Sequence, residues 1–173
     1  KWRKKVIDIV ASTNPKSVLD IATGTGDLAI QMERTGASEI IGVDISEGML
    51  SIGHKKVAQA NLTDKVILQK ADSEALPFED NKFDAITVSF GVRNFEDLEK
   101  GLSEILRVLK PSGTFVVLET SVPTRFPFKQ GYNLYSKFIL PTIGKMFSKD
   151  RVAYKYLSES ASKFPHGEAF NNI

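Results

Sequence analysis

The stretch VLDIATGTGDLAI, Val18 to Ile30, passes from an apolar run through two closely spaced glycines into a second apolar run. The first half reads as a buried strand and the second as the start of a helix. Gly24 and Gly26 sit where a chain turning sharply between the two needs residues without side chains. Such a turn also exposes backbone N–H groups at a helix start, where a ligand can approach closely.

On either side of it, short β-rich runs alternate with helical patterns along the whole chain. SVLDIA (17–22), EIIGVD (39–44), KVILQK (65–70), FDAITVSF (83–90) and GTFVVLET (113–120) are the strand candidates. The second, fourth and fifth look largely buried. Asp27 to Thr35, Glu47 to Ala60 and Phe95 to Leu109 read as helices, the last from the stripe Leu98, Leu102, Ile105, Leu106 and Leu109. KPSG (110–113) ends that helix, because Pro111 cannot continue it and Gly113 frees the backbone to turn. Alternation of this kind predicts an α/β fold, a Rossmann-like, doubly wound, mainly parallel sheet with helices on both faces.

Composition sets bounds around that fold. The chain has 173 residues, 42% of them hydrophobic and 25% charged, which suits one soluble globular domain. Lys and Arg number 23 against 21 Asp and Glu, so the net charge of +2 gives no argument for nucleic acid. With no cysteine there is neither a disulfide framework nor a thiolate metal site, which fits a reducing cytoplasm. No signal peptide and no apolar run of membrane-spanning length is evident. KWRKKVIDIV starts inside an apparent helix and AFNNI stops in a polar stub, so elements are expected to be missing at both ends.

Ligands of doubly wound sheets sit at the carboxyl ends of the strands. Gly24, Gly26 and Ala29 satisfy G-x-G-x-x-G/A, and Asp44 ends the next strand 20 residues after Gly24, where a ribose-binding carboxylate belongs. An NAD enzyme fits these positions, as does a tight strand-to-helix turn with no ligand. Three features bear on the choice. Asp20 places a carboxylate inside the first strand, where burial is costly without hydrogen bonds or a cation, and a cofactor bearing an ammonium and a sulfonium would benefit from it. Asp72, in ADSEALPF (71–78), stands at the end of the third strand, suited to an adenine amino group or to a turn. Met49, early in the following helix, suits either a purine face or the core.

Taken together, VLDIATGTGD, GVDISEGML, ADSEALPFEDNKFDAITVSFGVRNF and EILRVLKPSGTFVVLETS resemble class I S-adenosylmethionine-dependent methyltransferases. More narrowly, SFGVRNF (89–95), RVLKPSGTFVVLETS (107–121) and the later region from Tyr132 are similar to the ubiquinone/menaquinone biosynthesis C-methyltransferase family. The family's segment ahead of WRKK and its last two strands are not matched. The resemblance implies transfer of the methyl of S-adenosylmethionine to a ring carbon of a polyprenylated quinol, demethylmenaquinol or a ubiquinol precursor. Another small-molecule acceptor and an NAD(P)-dependent oxidoreductase are the alternative enzymes, and a cofactor-binding scaffold is the non-enzyme one.

The cofactor-binding set expected on this reading is Asp20, Ala22, Thr23, Gly24, Gly26, Asp44, Ile45, Met49, Asp72, Ser73 and Ser89. In-line displacement at a sulfonium needs no metal, only an aligned carbon nucleophile. Such a carbon is activated when a neighbouring phenol loses its proton. Arg93, beside Asn94, is the candidate cation for the phenolate, or else a surface partner of Glu96 or Asp97. Asp27 is the candidate proton acceptor, or else only a first-turn helix acid. The apolar and basic segment from Phe126 to Phe147, within a helical cap over residues 122–165, reads as a lid on a greasy substrate, a packed helix or a dimer contact, with peripheral contact at the inner face of the membrane in view. His54 and His166 read as exposed, and no metal-site spacing occurs.

Overall fold

The computed structural model describes residues 1–120, 126–128, 130–131, 164–165 and 168–173. Residues Lys1–Glu119 form one compact unit and Thr120–Ile173 a second. In the first, a helix α1 (Trp2–Ala11) precedes β1 (Ser17–Ile21), α2 (Asp27–Gln31), a 3₁₀ turn (Met32–Thr35), β2 (Glu39–Asp44), α3 (Glu47–Gln59) and β3 (Val66–Lys70). It continues through β4 (Phe83–Ser89), a second 3₁₀ turn (Val92–Asn94), α4 (Leu98–Val108) and β5 (Leu109–Leu118). In the second unit the described residues include a short helix, Glu168–Asn171, and a contact between the Phe164 and Phe170 rings. Most of the cap expected over 122–165, the aromatic run from Tyr132 to Phe147, and His166 lie outside the described residues.

All four strand pairings are parallel and the order is β3-β2-β1-β4-β5. The chain leaves β1 toward β2 and β3, then returns to lay β4 on the other side of β1. The sheet therefore reverses its winding between β1 and β4, and a crevice opens at their carboxyl ends.

Every residue of β1 is buried. A strand buried on both faces needs cover on both, which explains the unbroken apolar run before the glycines. On one face Val6, Ile7 and Val10 of α1, Leu28 and Met32, and Leu50 and Val57 of α3 cluster with Val18, Ile40, Leu68 and Ala85. β2 and β4 are largely buried as expected, but β5 is half-exposed along most of its length. Its position explains this, since among the described residues it is an edge strand with one neighbour.

Two details of the α4–β5 connection differ from the expectation. Asp97 caps α4 by accepting from the Lys100 N–H at 3.1 Å, so the helix starts at Leu98 and not at Phe95. Its packed face is Gly101, Ile105 and Val108, while Leu106 points outward at 73% exposure. KPSG ends the helix yet is already strand, with a register irregularity opposite Phe83, and the left-handed residue is Ser112 (φ +64°), not Gly113. Gly113 is needed for closeness instead, because a Cβ there would lie 2.8 Å from the Lys110 carbonyl oxygen.

The opposite end of the sheet is pinned by Asp84. Its Oδ2 accepts from the backbone N–H groups of Lys16 and Ser17, each at 2.9 Å, and its Oδ1 from Lys110 Nζ at 2.7 Å. Burial alone would raise the carboxyl, but these donors outweigh it and hold it well below the ordinary 3.8. A carboxyl lowered by folding stabilises the fold above its unfolded value and loses that contribution as pH falls through the folded one. Asp84→Asn should therefore lower neutral-pH stability by on the order of 2 kcal/mol. Denaturant titration should show the gap from wild type narrowing as pH drops below about 4.

Candidate cofactor cleft

The loop after β1 has an unusual backbone. Gly24 and Gly26 take φ of +60° and +74°, which glycine adopts at no steric cost, whereas Ala22 is held at +54°. A left-handed alanine costs about 1–2 kcal/mol and persists only where its surroundings enforce it. The loop after β4 carries a second case, Phe90 at φ +57°. These two strained residues end the two strands that flank the switch point. They meet across Gly91, where a Cβ would stand 2.4 Å from that of Ala22. Gly91 is thus required for close approach of the two loops.

Between the loops lies a cleft of about 500 Å³. Asp20 and Asp44 set its electrostatics. Asp20 is 1% exposed and accepts from the hydroxyls of Thr23 at 2.6 Å and of Thr87 at 2.7 Å, two hydroxyls rather than a cation. Burial dominates and pushes its carboxyl up to about 6, against the opposing pull of those hydroxyls. Asp44 is half-buried and accepts from Gly24 N–H through Oδ2 and from Ser46 N–H through Oδ1, each at 2.8 Å. It locks the glycine loop to the start of α3, whose first turn Ser46 caps through Met49 N–H.

The other walls are apolar or offer single polar atoms. Met49, 43% exposed, is no core residue; its Cε lies 3.1 Å from where a Gly24 Cβ would be, so Gly24 leaves a shallow cradle beneath a thioether. Ile45 is 69% exposed beside Asp44. Ser89 Oγ, at the end of β4, is buried against the cleft without a hydrogen-bond partner. A concave site with adjoining apolar surfaces, one ribose-type acid, one buried acid and an orphan hydroxyl fits an adenosyl group carrying a charged amino-acid tail.

Of the residues expected from sequence, Asp20, Ala22, Thr23, Gly24, Asp44, Ile45, Met49, Ser73 and Ser89 line the cleft, and so do Asp27 and Asn94. Gly26, Asp72 and Arg93 do not. Gly26 instead lets the loop pass Leu68, whose Cδ1 would lie 3.0 Å from a side-chain Cβ at that position. Asp72 is exposed and accepts from Glu74 N–H at 2.9 Å, the turn role. Arg93 pairs neither with Glu96 nor with Asp97: its Nη1 donates to Glu119 Oε1 at 2.6 Å, with both side chains nearly buried. The guanidinium ties the loop after β4 to the residue following β5 and leaves the cleft wall to Asn94. Asp27 opens α2 and holds Lys56 Nζ at 2.6 Å, while Lys56 also donates to Thr25 Oγ1 at 2.7 Å. Its geometry is that of an anchor for the glycine loop, with Oδ1 committed to an ion pair.

Sequence reading missed Thr87, Gly91, Phe90 and Arg3, all at or beside the cleft. Thr87 had a signal, a hydroxyl in the middle of a strand otherwise reading as core. Arg3 had another, its spacing of 3, 4 and 7 from the buried Val6, Ile7 and Val10. Among the described residues no group of three His, Cys, Asp or Glu side chains is placed to hold a metal, and no helix is long and apolar enough to cross a membrane.

Parallel order β3-β2-β1-β4-β5 with a cleft at the switch point is the doubly wound arrangement of class I methyltransferases, shared with dinucleotide-binding folds. Solved structures share it: the YcgJ protein of Bacillus subtilis has a TM-score of 0.67 and 27% identity, over 78% of this chain and 56% of that one. A putative methyltransferase of Bacillus halodurans gives 0.65 and 27%, over 78% and 57%. The chain belongs to the ubiE/COQ5 methyltransferase family, whose sequence profile matches residues 1–173. It is 49% identical over 173 residues to the demethylmenaquinone methyltransferase of Bacteroides fragilis, covering 99% of this chain and 71% of that one. It is 44% identical over 175 residues to the ubiquinone/menaquinone biosynthesis C-methyltransferase UbiE of Geobacter sulfurreducens, covering 100% and 68%.

Proposed function

We propose that the protein methylates a ring carbon of demethylmenaquinol from S-adenosylmethionine. The observation that carries this reading is the 49% identity to a demethylmenaquinone methyltransferase, spread over 99% of the chain. A cleft suited to an adenosyl group with a charged tail supports it. When bound, S-adenosylmethionine supplies an electrophilic methyl on a sulfonium; the rest is the work of this chain's residues.

Asp44 takes the ribose hydroxyls while its backbone contacts keep the loop in register. Ile45, Met49 and Ser73 enclose the adenine. Asp20 and Thr23 face the positive end of the tail, and Ser89 Oγ gives its unused hydrogen bond. Asp72 braces the turn that presents Ser73. Phe90 and Asn94, on a loop tied down by Arg93 and Glu119, stand at the acceptor side. In this role Arg93 positions the loop, and Asp27, held by Lys56, anchors α2. Holding the quinol ring carbon in line with the methyl supplies much of the rate.

Labelled-methyl transfer to demethylmenaquinol and to a demethylated benzoquinol tests the assignment. Label in menaquinol is expected. Label in the benzoquinol alone would overturn the naphthoquinol assignment, and tight S-adenosylhomocysteine binding without transfer to either would favour a scaffold.

A further inference from the structure

Three acids, Asp20, Asp27 and Asp44, line the cleft, and among the described residues on its wall one side chain is cationic, Arg3. We propose that Arg3 recognises the carboxylate of the amino-acid tail, an assignment that rests on the S-adenosylmethionine reading above. An amino-acid end carries both charges. Its ammonium is matched by acids, but its carboxylate would face repulsion from the same wall unless a cation stood beside it.

Arg3 is placed and loosely enough held to be that cation. It lies three, four and seven residues before Val6, Ile7 and Val10, all buried, so it shares the packed face of α1. α1 rests on the 3₁₀ turn after α2 and on β5, so the guanidinium is carried to the cleft by a fixed element. Its nearest acid, Asp27 Oδ2, is 3.8 Å away, an ion pair too long for a hydrogen bond, and the side chain is 51% exposed. Asp27 already has Lys56 at 2.6 Å, so turning Arg3 toward a ligand leaves no acid uncompensated. The planar fork of a guanidinium offers two parallel donors to a carboxylate, which a lysine cannot. As a half-exposed pair at this distance, Arg3 and Asp27 contribute little to the fold, so the variant should remain folded.

Calorimetry on the whole chain separates this assignment from the reading beneath it. Two ligands are used, S-adenosylhomocysteine and 5′-methylthioadenosine, which lacks the amino-acid end. Arg3→Gln should weaken S-adenosylhomocysteine about five- to tenfold, the loss of one charge-assisted contact, and leave 5′-methylthioadenosine unchanged. Arg3→Lys should recover part of that loss. Unchanged S-adenosylhomocysteine binding by Arg3→Gln, or an equal loss for both ligands, would overturn the proposal. A second arm needs no variant: wild type should bind decarboxylated S-adenosylhomocysteine more weakly than the intact compound, and equal affinities would also overturn it. Failure of wild type to bind either adenosyl compound would instead bring down the methyltransferase reading, and this proposal with it.

Discussion

Asp44→Ala is expected to weaken S-adenosylhomocysteine binding by about a hundredfold or more, the largest loss from any single side chain of the cleft. Two effects add. The carboxylate is the acceptor for a ribose diol, and hydrogen bonds to a charged partner contribute about 1.5–3 kcal/mol each. It also receives the N–H of Gly24 and of Ser46, both at 2.8 Å, so its loss releases the glycine loop from the start of α3. Gly24 is left-handed, and a freed N–H there removes the restraint that keeps the loop open to a ligand. Asp44→Asn tests the division, because an amide has one acceptor oxygen for two backbone donors and none to spare for a diol. Calorimetry on both variants, with melting curves to check the fold, decides it. Undiminished affinity in Asp44→Ala would remove the residue from the site.

The parts of this site that were legible in the sequence are those fixed by neighbours along the chain. Gly24, Gly26 and Asp44 announce themselves because a sharp strand-to-helix turn and a strand end have local signatures. Asp20 does so because a carboxylate in an apolar run is costly. The Arg93–Glu119 pair was hidden because its members are 26 residues apart and are brought together by β4 pairing with β5. The Asp27–Lys56 pair was hidden for the same reason: Lys56 reaches Asp27 from 29 residues away, across the packing of α3 on the loop. Leu106 followed the helical stripe by type yet faces outward, because five leucine and isoleucine positions spread wider than the face α4 buries. The left-handed Ala22 and Phe90 carry no compositional mark at all, since their strain is enforced by the meeting of two loops at Gly91. What depends on strand order could not be read one segment at a time.

Cofactor affinity should rise about tenfold between pH 5 and pH 7, and Asp20→Asn should flatten that rise. The carboxyl is raised by burial from 3.8 to about 6. Between those values the folded chain binds a proton that the unfolded chain has released, so stability of the ligand-free protein falls as pH rises through this window. A shift of about two units corresponds to roughly 3 kcal/mol of strain from an ionised, buried acid at pH 7. A ligand that sets an ammonium near Asp20 relieves that strain and selects the ionised form. Below about pH 6 binding must therefore expel the proton, and calorimetry at pH 5 in two buffers of different ionisation enthalpy should detect close to one proton released. At pH 8 the ionised acid needs no titration, yet Asp20→Asn should still bind S-adenosylhomocysteine about ten- to a hundredfold more weakly, because an amide offers no charge to the ammonium. The same variant should lose the downward slope of stability between pH 4 and pH 6, since Thr23 and Thr87 can bond an amide without burying a charge. Proton release that persists in Asp20→Asn would assign the titration to another group and leave Asp20 a purely structural link between β1 and β4.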